Sequence, residues 1–181
     1  MRCLAVLFAA LLVPAIAVAQ DGAPTATLSA SSKTLYRFAQ DYVVRAAEKM
    51  PEENYSFKPT PDVRSFGQII GHITDAQYLI CSGAYGEKPP VTDVEKTKTT
   101  KADLMKALKA SVEYCQKAHD VVNGPKGLEL VDGPGGKHPR VGILYFNTAH
   151  TFEHYGNLIT YLRIKGIVPP SSEPRKAPSA Q

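Results

Sequence analysis

Ala149-His150-Thr151-Phe152-Glu153-His154-Tyr155 sits inside a run from Val141 to Lys165 that contains no proline. Read as one helix, the run places Ile143, Asn147, His150, His154, Asn157 and Tyr161 on one side, flanked by Phe146, Leu158 and Ile164. His150 and His154 then stack about one turn apart, the spacing at which two imidazoles grip a single ion. A core-facing stripe holding two histidines and two asparagines needs polar partners, because burying such groups unpaired is costly. Hydrogen bonds within a helical core would satisfy a lone histidine. A pair at this spacing, with a third candidate elsewhere, favours a metal.

Three further stretches carry helical periodicity. The first runs from Ser32 to Met50 and is stopped by Pro51, with Leu35, Phe38, Ala39, Tyr42, Ala46 and Met50 as its apolar stripe. A loop rich in turn residues follows. Ser65-Phe66-Gly67-Gln68 is a capping-box pattern, so a second helix begins there and ends near Gly83. It turns Phe66, Ile69, Ile73, Ala76 and Ile80 inward and carries His72 at the edge of that face. Gly86 to Thr99 reads as a long crossover. Thr100 and Asp103 open a third helix whose stripe includes Leu104, Leu108, Ser111, Val112, Cys115 and Val122.

Between that helix and the last lies Gly124 to Pro139. Its glycines suggest a phosphate cradle, but no strand precedes them and no Gly-Lys-Ser/Thr follows. The segment is expected to be a mobile loop with His138 in solvent. No strand pair and no internal repeat is apparent. The pattern predicts an all-α protein, a four-helix bundle over residues 32–168.

The ends of the chain set the compartment. Met1-Arg2 is a short basic start, Cys3 to Val13 is an apolar run too short to span a bilayer, and Ala17-Val18-Ala19 is a small-x-small cleavage signature. Residues 1–19 are therefore expected to be a signal peptide, cleaved to leave Gln20 first in a periplasmic or secreted protein. Residues 20–31 read as a flexible lead-in and 169–181 as a loose tail. No later segment is apolar enough to cross a membrane. The formal charge is +4 and its basic residues are scattered, so no nucleic-acid footprint stands out.

The remaining histidines decide the site. His72 is the best third ligand, being early in its helix and on the core edge. His119 lies near the far end of the third helix, where the dipole would favour its charged form. Three neutral imidazoles suit zinc, nickel, copper or iron rather than the oxygen-seeking magnesium and calcium.

With Gly71-His72-Ile73-Thr74-Asp75-Ala76, the terminal His150-x-x-x-His154 pair, and Arg64-Ser65-Phe66-Gly67-Gln68 leading into the first histidine, the chain resembles the DinB-like superfamily of metal-binding bundles. The resemblance covers Ser32 to Ile167. It implies a divalent ion, usually zinc or nickel, on His72, His150 and His154, with water completing the shell. It also implies an up-down-down-up topology with the second and third helices parallel. Some relatives are thiol-dependent transferases or isomerases. In that parallel arrangement Cys81 and Cys115, each 15 to 16 residues past its helix start, come level, and a disulfide between them is expected.

A rival pattern is present, because His150-Thr-Phe-Glu153-His154 also spells the His-x-x-Glu-His of inverted zinc peptidases. It would need a downstream glutamate, and only Glu173 follows. A di-iron bundle needs Glu-x-x-His, which is absent from the chain after residue 19. Three roles remain: a metal-dependent hydrolase or group transferase acting on a small molecule, a non-catalytic module stabilised by its ion, or an interaction protein. In the first, Asn147, Asn157 and Tyr42 are candidate orienting groups, and no carboxylate is placed beside the histidines. The last would use the outer stripe Phe152, Tyr155, Ile159 and Leu162, a candidate homodimer face.

Overall fold

The computed structural model describes residues 27–174. The predicted signal peptide lies outside the described residues. Four long helices carry the fold: α1 (Leu28–Lys49), α2 (Phe66–Tyr85), α4 (Lys101–Val121) and α6 (Arg140–Ile164). Short helices α3 (Val94–Thr97) and α5 (Gly124–Leu128), and a hairpin of β1 (Leu130–Gly133) and β2 (Gly136–Pro139), fill the connections. Start signals written in the sequence are used. Gln68 N donates to Ser65 Oγ at 3.2 Å, and Ser65 N donates to Gln68 Oε1 at 2.8 Å. Asp103 N donates to Thr100 Oγ1 at 3.1 Å. Gly86, at φ 86°, ends α2 in the left-handed conformation glycine favours.

Contacts at opposite ends fix the directions. Leu104 lies beside Gly67, and Cys115 is joined to Cys81, so the starts of α2 and α4 meet and so do their later turns. These two helices are parallel. Arg140 Nη1 donates to Ala84 O at 2.7 Å, while Tyr161 Oη donates to Arg64 O at 2.6 Å, so α6 runs against α2. Lys101 Nζ donates to Met50 O at 2.7 Å and Lys33 pairs with Asp120, so α4 runs against α1. The order is up-down-down-up.

Two apolar clusters fill the bundle. One gathers Met50, Phe66, Ile70, Leu104, Leu158 and Leu162; the other surrounds the Cys81–Cys115 disulfide with Tyr36, Ala118, Val122, Ile143 and Leu144. Burying one such leucine or phenylalanine stabilises by roughly 1.5–3 kcal/mol. On the outer stripe of α6, Tyr155 and Leu162 belong to this core: Tyr155 stacks on Tyr42 with centroids 5.1 Å apart.

Several expectations are corrected. Helix α1 begins at Leu28, capped by the Thr27 hydroxyl, so residues 28–31 are helical rather than a flexible lead-in. Its buried face is Ser32, Tyr36, Ala39, Val43, Ala46 and Ala47, which leaves Leu35 and Phe38 exposed. Small alanines let α1 approach closely, and the Tyr36 hydroxyl donates to Gln77 Oε1 at 3.1 Å, so the stripe rotates by about one residue. The glycine segment is a hairpin pairing Val131 with His138 and Gly133 with Gly136. The two-residue Pro134-Gly135 turn, with Gly135 and Gly136 both at positive φ, makes it possible. His138 is half-buried, its Nε2 2.7 Å from Pro134 O. The start of the tail docks: Pro169 and Pro170 are buried, and Tyr155 Oη donates to Ser171 Oγ at 2.8 Å.

Candidate metal centre

His72 comes from the second turn of α2, and His150 and His154 come from the middle of antiparallel α6. The three rings converge. One ligating nitrogen from each lies within 4.8 Å of the other two. Ring centroids are 4.4 Å apart for His150–His154, 4.6 Å for His72–His154 and 5.2 Å for His72–His150. His150 Nε2 and His154 Nε2 are 3.1 Å apart. Two nitrogens on one tetrahedral zinc, each about 2.0–2.1 Å from it, would be about 3.3 Å apart. The donor set fits a borderline-soft divalent ion.

Burial is the first cause that lowers the pKa of His150, followed by the charge of His72; His154 is pushed down to about 4 by burial, then by His150 and His72. Both rings are therefore neutral at pH 7, the form in which imidazole binds a metal.

A carboxylate does stand beside the cluster, contrary to the expectation from sequence. Glu95 Oε2 is 3.4 Å from His72 Nδ1, and Glu95 Oε1 accepts from Arg64 Nε at 2.9 Å. Helix α3 delivers it. The Asp75 carboxylate accepts from Val94 N at 2.8 Å and from Glu95 N at 2.9 Å, pinning the start of α3 to α2. Gly71 allows the approach, since a Cβ there would stand 2.5 Å from the Glu95 Cα. Sequence reading missed Glu95 because it lies in the crossover, where periodicity is silent. The available signal was Gly71 and Asp75 flanking His72 by one and three residues.

The proposed orienting groups separate. Asn157 Nδ2 is 3.3 Å from His154 Nδ1 and touches the cluster. Asn147 is buried against the disulfide instead, its Nδ2 3.7 Å from Cys115 Sγ, and Tyr42 stacks on Tyr155 away from the rings. His119 is not a dipole-stabilised cation. It is buried, stacked on Tyr36 with centroids 4.9 Å apart, and burial pushes its pKa down to about 4. The peptidase pattern fails on geometry: Glu173 pairs with Arg45 and Lys49 at the end of α1, and Glu153 is exposed.

An up-down-down-up bundle whose second and last helices bring three histidines together defines a class. A family model of the DinB superfamily matches residues 35–158, and the chain belongs to that superfamily. Among solved structures it is similar to a DinB-like protein from Bacillus cereus, at 18% identity and a TM-score of 0.68, covering 77% of this chain and 93% of that one. It is similar also to the DinB-like protein YjoA from Bacillus subtilis, at 22% identity and TM-score 0.65, covering 81% and 99%. A mycothiol-dependent maleylpyruvate isomerase shares the fold at 15% identity and TM-score 0.59, covering 72% of this chain and 60% of that one. No curated protein matches the chain. At these identities the structural likeness establishes the fold.

Proposed function

We propose that this protein is an exported metal-dependent enzyme, a hydrolase or group transferase acting on a small molecule, with His72, His150 and His154 holding one divalent ion, zinc or nickel. The convergence of three imidazole nitrogens within 4.8 Å carries the reading. Such an ion polarises a substrate oxygen or lowers the pKa of a bound water. The chain's own groups set the rest. Glu95 Oε2 stands 3.4 Å from His72 Nδ1, where it orients the ring, and Arg64 holds Glu95 in place. Asn157, its Nδ2 3.3 Å from His154 Nδ1, stands against the His154 ring. Three protein ligands, rather than four, converge among the described residues and leave a coordination position for substrate, which favours catalysis over a purely structural ion. Export is supported by the leader-like start and by the Cys81–Cys115 disulfide, which persists in an oxidising compartment.

The test is elemental analysis of protein recovered from the exported fraction, followed by screening of ester, amide and thiol-transfer substrates. We expect about one zinc or nickel per chain and a turnover that chelation abolishes and metal restores. Protein that binds no transition metal, or whose turnover ignores chelation, would overturn the assignment.

A further inference from the structure

A cavity of about 710 Å³ opens from the histidine cluster and runs along the α2–α6 seam. On α2 its floor follows one helical face from His72 through Ala76 and Leu79 to Gly83, a stretch of roughly 16 Å. Helix α6 supplies Ile143, Phe146 and His150 opposite. The hairpin closes one side at Gly133 and Pro134, packed so tightly that a Cβ on Gly133 would lie 2.5 Å from Ile143 Cδ1. The lining is chiefly apolar. Leu79 is 62% exposed and Phe146 42% exposed, an unusual cost beside a cluster of polar rings.

The charged groups at the rim are already engaged. Asp93 pairs with Lys96, Asp132 with Lys137 and Glu95 with Arg64, while Asp75 caps α3. None of them is placed to receive a charge inside the groove. The opposite side of the cluster differs: a second cavity of about 750 Å³ is walled by Arg64, Gln68, His154, Asn157 and Tyr161. The histidines stand where an apolar space meets a polar one.

We infer that the α2–α6 groove binds an uncharged apolar group, an acyl chain or an aromatic ring, of an amphipathic substrate. The substrate's polar end lies at the histidines and extends toward Asn157. This rests on the metal-site reading for the polar end alone; the apolar binding belongs to the groove itself. Gly83 provides the probe. A Cβ there meets no atom within 4 Å, so Gly83→Phe puts a ring into the groove with no backbone clash and a gain in helix propensity. Gly156→Phe, at an equally open but exposed position on α6, is the control.

The experiment has two arms. The first titrates metal-free protein with the uncharged fluorophore N-phenylnaphthylamine. The second titrates zinc-loaded protein with acetohydroxamate and octanohydroxamate, which share a metal-binding head and differ in tail. We expect the fluorophore to saturate one site, and octanohydroxamate to bind at least about tenfold tighter than acetohydroxamate. Gly83→Phe should erase both the fluorophore signal and the tail preference, leaving acetohydroxamate and zinc affinity unchanged; Gly156→Phe should change neither. Equal affinity for the two hydroxamates, or a tail preference that survives Gly83→Phe, would overturn the groove. Fluorophore binding lost in Gly83→Phe, with no zinc-dependent hydroxamate binding, would sustain the groove and overturn the metal site.

Discussion

At the scale of single residues, the histidines divide by what surrounds them. His119 is 3% exposed, between Tyr36 and Ser32, with Lys33 and Asp120 beyond. Its folded pKa of about 4 lies below the ordinary 6.5, so the unfolded chain binds the extra proton first as pH falls. Its contribution to stability is therefore complete above about pH 6.5 and is lost progressively toward pH 4, at up to about 1.4 kcal/mol per pH unit. Denaturant melts of His119→Phe should show a shallower decline over that window than the parent. An identical slope would place the acid sensitivity elsewhere. The convergence of the three candidate ligands was legible in the sequence, two by their i, i+4 spacing and His72 by its edge position. Glu95 was not, because the contact that makes it matter joins residues 23 apart in the chain and depends on the missing Cβ of Gly71.

Among the elements, α3 is four residues long and could not persist alone. It exists because Asp75 bonds two of its first N–H groups and Val94 is buried in the bundle core. Asp75→Ala should release it and cost about 1–3 kcal/mol of stability. It should also weaken zinc binding by roughly tenfold, through loss of the Glu95–His72 contact. Calorimetry on Asp75→Ala and Glu95→Gln tests this: both should lose metal affinity, and only the first should lose the larger share of stability. Unchanged zinc affinity in both would remove Glu95 from the site. The long helices were readable because their caps are local, as at Ser65 and Thr100. The face of α1 was not, since the choice between Leu35 and Tyr36 is made by which neighbour satisfies a hydroxyl, and Gln77 lies 41 residues away. The hairpin was missed because its strands are four residues each and their sequences, Leu-Val-Asp-Gly and Gly-Lys-His-Pro, lack apolar–polar alternation; its register is fixed by the two-residue turn, and Gly133 packs on Ile143.

For the whole molecule, the parallel pairing of α2 and α4 requires the long crossover between them, and the Cys81–Cys115 bond locks that pairing at Cα–Cα 5.4 Å. It closes a loop with a sequence separation of 34, worth about 4 kcal/mol in the chain-entropy account. Reduction, or Cys81→Ala with Cys115→Ala, should lower stability by about 2–4 kcal/mol and leave zinc affinity nearly unchanged, because the bond sits two and a half turns from His72. Thiol counting on denatured, unreduced protein should find neither cysteine free. The central claim is that two antiparallel helices assemble one metal centre from three histidines, and zinc titration by calorimetry of the parent and the five histidine-to-alanine variants tests it most directly. We expect one site in the parent, strongly weakened in His72→Ala, His150→Ala and His154→Ala, and little altered in His119→Ala and His138→Ala. Parent-like affinity in His72→Ala would contradict it.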